Sequence, residues 1–377
     1  MKQSATTVGN RVQKSLAMLQ ALRQRWAMAL AAGVALLAGC ASGIGSELRS
    51  YPQSPQFRDG RFQNPLPRPE FRFWDEPKLV WTFFFNKPEY TTPQRPVPVR
   101  AITPAELAAA PDHSVYRLGH STLLFKMQGK FWITDPVFSE RASPVQWAGP
   151  KRFHAPPIAL DDLPPLEAII VSHNHFDHLD HDAILRLAPR ARRIITPLGV
   201  GDLLQSWGVE TAKVTQLDWW QETEVDSVRV VATPAQHFSG RGLRDEDQTL
   251  WASWVIAGAG FKLFFSADSG YFDGFKTIGE RYGPFDMAFM EAGAYDRRWS
   301  FVHMTPEETV QAHSDLQAHW LMPIHNGTFD LALHPWQEPL ERVVKQAQKR
   351  NIPVSTPVMG ERVGFLQPHA GSRWWQD

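Results

Sequence analysis

The chain has 377 residues, with 39 basic and 39 acidic side chains, 43% apolar residues, 30 prolines and a single cysteine, Cys40. This composition belongs to a globular chain with extended loops, long enough for one large domain or two small ones, and it excludes a disordered or fibrous protein. A lone cysteine rules out an intramolecular disulfide, a CxxC redox pair and a thiolate-rich zinc site, and the neutral total argues against a general nucleic-acid binder.

The charge is unevenly placed. Lys2, Arg11, Lys14, Arg23 and Arg25 give residues 1–39 a charge of +5 with no acid, which leaves 34 basic and 39 acidic residues, or −5, for the remainder. Residues 26–39 form a 14-residue apolar run. A membrane-spanning helix needs about 20 such residues, so the run is too short to span and suits the apolar core of a signal peptide. Leu37, Ala38, Gly39 and Cys40 then resemble the lipobox of bacterial lipoproteins. The resemblance implies that residues 1–39 are removed and that Cys40 is acylated, with more than one chain needed for stable anchoring. Ala41 stands where an aspartate retains many such proteins on the inner membrane. By resemblance to that sorting behaviour, the expected location is the bacterial cell envelope, at the outer membrane facing the periplasm.

Between Tyr51 and Pro111 twelve prolines punctuate the chain. Each removes an amide donor and restricts its predecessor, so no long regular helix is expected there. The aromatic stretch from Phe71 to Phe85 is too apolar for a solvated linker and is read as an arm lying over the main domain. After Ser114 short β-type runs predict strands at 115–125, 130–134, 168–172, 194–196, 213–217, 227–233, 251–257, 261–266 and 286–290. Helices are expected around 182–187, 305–314 and 338–349, the second opened by Thr305, Pro306, Glu307 and Glu308 as cap, first-turn proline and dipole-facing acids. The pattern is that of an α/β fold with two sheets covered by helices. Trp219 and Trp220 read as core. Arg190, Arg192 and Arg193 read as charges at a helix end or on a solvated face.

The chemistry concentrates between Val171 and Asp180. An apolar run at 168–172 delivers His173, His175, Asp177 and His178 into the loop at a strand's end. His173 and His175 can point the same way and share a metal, while Asp177 and His178 can serve a second ion. Imidazole and carboxylate together suit zinc or another borderline divalent ion. One loop cannot complete two coordination shells. His237, Asp268 and His325 each follow an apolar strand run in the same way and are the candidate partners.

These residues resemble the metallo-β-lactamase superfamily, whose HxHxDH signature is met by His173, His175, Asp177 and His178. The resemblance implies a four-layer αββα sandwich and two divalent ions, with zinc expected. It assigns His173, His175 and His237 to one ion, Asp177, His178 and His325 to the other, and Asp268 as the bridge. A narrower resemblance, to the N-acylphosphatidylethanolamine-hydrolysing phospholipase D family, is carried by residues 117–122, 134–144, 149–153, 172–180, 217–220, 283–286, 293–295 and 324–329. Asn326 departs from that family, where tryptophan adjoins the metal histidine, and so does the lipoprotein leader. The implied layout is a signal peptide at 1–39, a lipidated, proline- and aromatic-rich arm at 40–112, a metallo-β-lactamase-like hydrolase domain at 113–368 and a C-terminal tail at 369–377.

The expected reaction is phosphodiester hydrolysis of a phospholipid headgroup bond by a hydroxide bridging the two metals, whose ions bring the pKa of a bound water to about 7. Asp177 and Asp268 would take part, and His303, by resemblance, would protonate the leaving group. His120 and Asp135 would fix loops and ligand tautomers. A metal-dependent lactonase or esterase of the same superfamily is the alternative, and a non-catalytic envelope lipoprotein is the second. Nothing beyond the shared metal motif supports β-lactam hydrolysis. The expected partners are a phospholipid or other ester substrate and a membrane reached through Cys40, with no nucleic acid.

Overall fold

A computed structural model describes residues 50–67, 69, 76–242 and 244–376. The leader, Cys40 and residues 71–75 lie outside the described residues. The described residues up to Arg241, together with those from Asp245 on, form one compact unit. This unit opens with a small hairpin of β1 (Phe57–Arg58) and β2 (Arg61–Phe62), then α1 (Pro77–Phe85) and α2 (Pro104–Ala109). In the proline-punctuated segment no described helix exceeds the nine residues of α1, which has Pro77 in its first turn.

The first large sheet begins with β3 (Ser114–Gly119), β4 (Thr122–Met127), β5 (Lys130–Thr134) and β6 (Leu166–Ile170). It continues through α3 (His181–Leu187), β7 (Ala191–Pro197), α4 (Val200–Ser206) and β8 (Val214–Leu217). The second comprises β9 (Glu222–Val225), β10 (Val228–Thr233), β11 (Ser253–Gly258), β12 (Phe261–Phe265), β13 (Phe285–Glu291) and β14 (Ala318–Ile324). Its helices are α5 (Gly274–Tyr282), α6 (Pro306–Asp315) and α7 (Glu338–Lys349), and β15 (Arg362–Gly364) returns to the edge of the first sheet beside β3. The seven strands of the first sheet run in the order β15-β3-β4-β5-β6-β7-β8, the six of the second β14-β13-β12-β11-β10-β9.

Alternation along the strands builds the layers. Leu123 and Phe125 of β4 enter a core shared with Val228 and Val230 of β10 and with Leu263 and Phe265 of β12, so this core lies between the sheets. Leu124, one residue out of phase, packs with Ile169, Ile184 and Leu203 beneath α3 and α4. Val231 and Phe264 likewise face outward to Phe275, Ile278, Val310 and Val343 of α5, α6 and α7. Each such fully buried side chain contributes about 1.5–3 kcal/mol of transfer free energy. The result is the four-layer αββα arrangement.

Most predicted elements recur within a residue or two. The run at 115–125 is two strands rather than one: β3 and β4 pair antiparallel, and Gly119 (φ 137°) and His120 (φ 51°) turn the chain between them. Continuous hydrophobicity on both sides conceals that turn, since both strands are buried on both faces. From β3 onward, the helices α4 and α5 and the strands β9, β14 and β15 stand outside the predicted runs. The α6 cap is a full capping box between Thr305 and Glu308.

The arm is engaged. Phe62 joins the intersheet core with Tyr51 and Phe57 packed beside it, and its amide donates to Asp247 O. Trp374 and Trp375 from the tail are buried with Val97, Leu340 and Met359. Trp219 is buried and Trp220 half-buried. Arg190 reaches the carbonyl oxygens of Leu160, Asp161 and Leu163, and Arg192 pairs with Glu167 at 2.7 Å. Among the described residues no helix is long and apolar enough to cross a membrane.

Candidate metal centre

Strands β5, β6, β10, β12, β13 and β14 all deliver a polar residue at or beyond their C-terminal ends: Asp135, His173 to His178, His237, Asp268, Glu291 and His325. The β3–β4 turn adds His120. Four groups of these residues could each hold a metal ion, with the ligand atoms of each group within 4.8 Å of one another. They are His173, His175 and His237; His120, Asp177, His178 and His325; His173, His178 and Asp268; and Asp268, Glu291, His303 and His325. The structure therefore brings together all seven residues predicted as ligands, with His120 and His303 beside them. Cys40 lies outside the described residues.

In the three-histidine group, His175 Nδ1 lies 2.9 Å from His173 Nε2 and 3.3 Å from His237 Nε2. The second nitrogen of His173 is held by Ser172 Oγ at 2.8 Å, and that of His237 by Val302 O at 3.0 Å. If those outer nitrogens carry the ring protons, both Nε2 lone pairs converge on His175, which has at most one proton to give. A cation satisfies all three. Burial and mutual repulsion hold His173 and His237 well below the usual imidazole range, and burial draws His175 down to about 4. These three are neutral near pH 7, as metal ligands must be.

The other group is ionised. Burial disfavours charge on Asp177 and Asp268, yet His178 and other neighbouring imidazoles outweigh it and hold both carboxyls well below the usual range. Burial likewise opposes a proton on His178 and His325, but Asp268 and Asp177 overcome it, raising His178 well above its usual value and His325 to about 9. Asp268 Oδ2 sits 3.0 Å from His325 Nε2, 3.1 Å from His178 Nε2, 3.7 Å from His237 Nε2 and 3.9 Å from His173 Nε2. It thus faces both groups, as a bridging ligand would. Its Oδ1, with the Nε2 atoms of His178 and His325, is buried without a well-aligned hydrogen bond among the described residues. Buried polar atoms of this kind are costly unless a ligand satisfies them, so the donor set fits a pair of divalent ions.

Asp135 is the orienting carboxylate. Its Oδ1 accepts the Ser172 amide at 2.7 Å, and its Oδ2 takes the Ser172 hydroxyl and lies 2.7 Å from His178 Nδ1. His120 does more than orient a loop, since its Nε2 contacts Asp177 Oδ2 directly at 3.0 Å. His303 Nδ1 lies 3.1 Å from Glu291 Oε2, while Glu291 Oε1 accepts the Met304 amide at 2.6 Å. Glu291 escaped the sequence reading. It closes the apolar strand β13 as Asp268 follows β12, and applying that rule to every strand would have found it. Ser172 was passed over as well, its role being visible only once Asp135 is placed beside it.

Residues 132–326 match the family described as Beta-lactamase superfamily domain. The chain is 39% identical to an uncharacterized protein of Mycobacterium tuberculosis, over 93% of this chain and 99% of that protein. It is 37% identical to N-acyl-phosphatidylethanolamine-hydrolyzing phospholipase D 1 of Caenorhabditis elegans, over 62% of this chain and 69% of that protein. A metallo hydrolase from Ignicoccus hospitalis shares the fold, with a TM-score of 0.51 and 20% identity over 66% of this chain and 97% of the other.

Proposed function

The chain belongs to the beta-lactamase superfamily, a family of metal-dependent hydrolases, and we propose that it is a zinc-dependent phosphodiesterase that hydrolyses a phospholipid headgroup bond. The observation that carries this reading is the convergence of seven histidine and aspartate side chains on one edge of the two sheets, in a chain similar to a phospholipase D acting on N-acylphosphatidylethanolamine.

His173, His175 and His237 would hold one ion, Asp177, His178 and His325 the other, with Asp268 between them. Two divalent ions there supply Lewis acidity toward the phosphodiester oxygens and lower the pKa of a water. The chain's own groups do the rest. Asp135 aligns His178 directly and His173 through Ser172, and His120 holds Asp177. Asp268 Oδ1, which has no hydrogen-bond partner among the described residues, is available to accept the proton of the attacking water. His303, whose Nδ1 lies 3.1 Å from Glu291 Oε2, would serve through its other ring nitrogen as the donor to the departing headgroup oxygen. The expected products are a phosphatidic acid and the headgroup alcohol, which for N-acylphosphatidylethanolamine is an N-acylethanolamine. An acylated Cys40 would keep the enzyme at the outer membrane, where its lipid substrate is.

The test is release of phosphatidic acid from N-acylphosphatidylethanolamine vesicles by the full-length protein in detergent. Product should appear with zinc or manganese and vanish on chelation. No product with either ion would overturn the lipid reading, and turnover of a lactone panel instead would favour the esterase alternative.

A further inference from the structure

Two buried arginines, Arg117 and Arg152, and the half-buried Arg241 lie near the metal loops. Arg241 differs in what it grips. Its Nη1 donates to Asn174 O at 2.8 Å and to Leu179 O at 2.7 Å, the two carbonyls that bracket residues 175–178. Its guanidinium also lies over the Phe176 ring, 3.9 Å from the centroid, with the Trp207 ring at 5.2 Å. One side chain therefore grips the loop that carries His175, Asp177 and His178 at both ends and at its aromatic tip.

The same side chain belongs to a second ligand loop, because Arg241 follows His237 by four residues. That loop is braced on its own account. Ser239 Oγ donates to Thr249 O at 2.7 Å, the Ser239 amide to Asp247 Oδ1 at 3.2 Å, and the Arg241 amide to Asp245 Oδ2 at 2.9 Å. The Gly240 amide crosses to Asn174 Oδ1 at 2.8 Å, with Gly240 at φ 151°, where a side chain would be strained. Burial draws the guanidinium down to about 10 while Asp180, Asp245 and Asp177 oppose the shift, so it stays charged at neutral pH.

We infer that Arg241 is a positioning residue that couples the His237 loop to the 173–178 loop and thereby sets the affinity of the chain for its ions. The inference rests on the metal-centre reading of the preceding subsection and is independent of which ester is cleaved. Lysine can offer an ammonium to the same two carbonyls but has no planar group to lie over the Phe176 ring, so it reproduces only part of the grip. Partners that orient metal ligands typically change affinity by 10–100-fold when removed.

The experiment uses full-length Arg241→Met, Arg241→Lys and Asn174→Ala, with zinc affinity read by competition with a chromophoric chelator and amide exchange followed across residues 174–179. Arg241→Met should weaken zinc binding about 10–100-fold and speed exchange of that segment in the metal-free protein. Arg241→Lys should recover only part of both effects, and Asn174→Ala, which removes the Gly240 link alone, should give a smaller loss. If Arg241→Met misfolds, Arg241→Lys carries the test of the side chain, with Asn174→Ala as the comparison. Wild-type affinity and wild-type exchange in every folded variant would overturn the inference. Failure of the wild type to cleave lipid, with these affinity losses intact, would overturn only the phosphodiesterase reading.

Discussion

Asp135 and Ser172 together govern two neighbouring histidines of the metal centre, His173 and His178. The carboxylate meets His178 Nδ1 directly and takes the Ser172 hydroxyl, whose oxygen in turn lies 2.8 Å from His173 Nδ1. The arrangement fixes which nitrogen of each ring faces inward.

Asp135→Asn keeps the shape but has one acceptor oxygen where three contacts need two. One of the Ser172 amide, the Ser172 hydroxyl and His178 Nδ1–H must then face an NH2 group. Zinc affinity should fall about 10–100-fold, measured by chelator competition. An unchanged affinity would show that the His178 tautomer is set elsewhere.

Loading the centre should release protons unevenly. The three-histidine group is already neutral, whereas His325, at about 9, and His178, raised well above its usual value, are protonated at pH 7 and must become neutral to ligate. Both folded-state values lie above the ordinary imidazole value, so affinity for the second ion should rise with pH and begin to level as His325 titrates near 9. Calorimetry in buffers of different ionisation enthalpy reads this directly. Equal proton release for both ions would contradict the division.

Removing metal should destabilise the folded chain. An ion that binds only the native state, present at about 1,000 times its Kd, adds about 4 kcal/mol. Thermal unfolding with and without chelator should show a higher Tm for the loaded protein, and the difference should shrink in His173→Ala. A Tm indifferent to zinc would argue against a metal centre.

Gly293 lies where a Cβ would fall inside the van der Waals envelope of the His325 carbonyl oxygen. Gly293→Ala should therefore push the His325 loop outward and cost about 1–3 kcal/mol, the usual range for overpacking. Denaturant unfolding gives the stability and chelator competition the expected loss of affinity. Wild-type values in both would mean that the loop yields without disturbing His325.

The anchor is tested by Cys40→Ser. Fractionation should move the protein from membranes to the soluble envelope fraction, with the leader left uncleaved or processed elsewhere. Retention on membranes would exclude acylation at Cys40 as the attachment.

Local physics wrote much of this protein into its sequence. A buried strand ending in His173, His175, Asp177 and His178 needs only the two-residue period of extended chain to put neighbouring ligands on one side, and single histidines or aspartates after other apolar runs repeat that rule. The alternation that sorts Leu123, Leu124 and Phe125 between two cores is equally local. Tertiary structure decided which strand ends meet. β6 and β10 lie in different sheets and β13 pairs with β12 and β14, so the strand-end rule can mark Glu291 as a candidate while only the fold shows that it meets His303 and Asp268 in one site. The same holds for Arg241, whose targets lie 62 and 67 residues away. A carbonyl oxygen has no residue-type signature, and only the folded chain shows which side chain holds it.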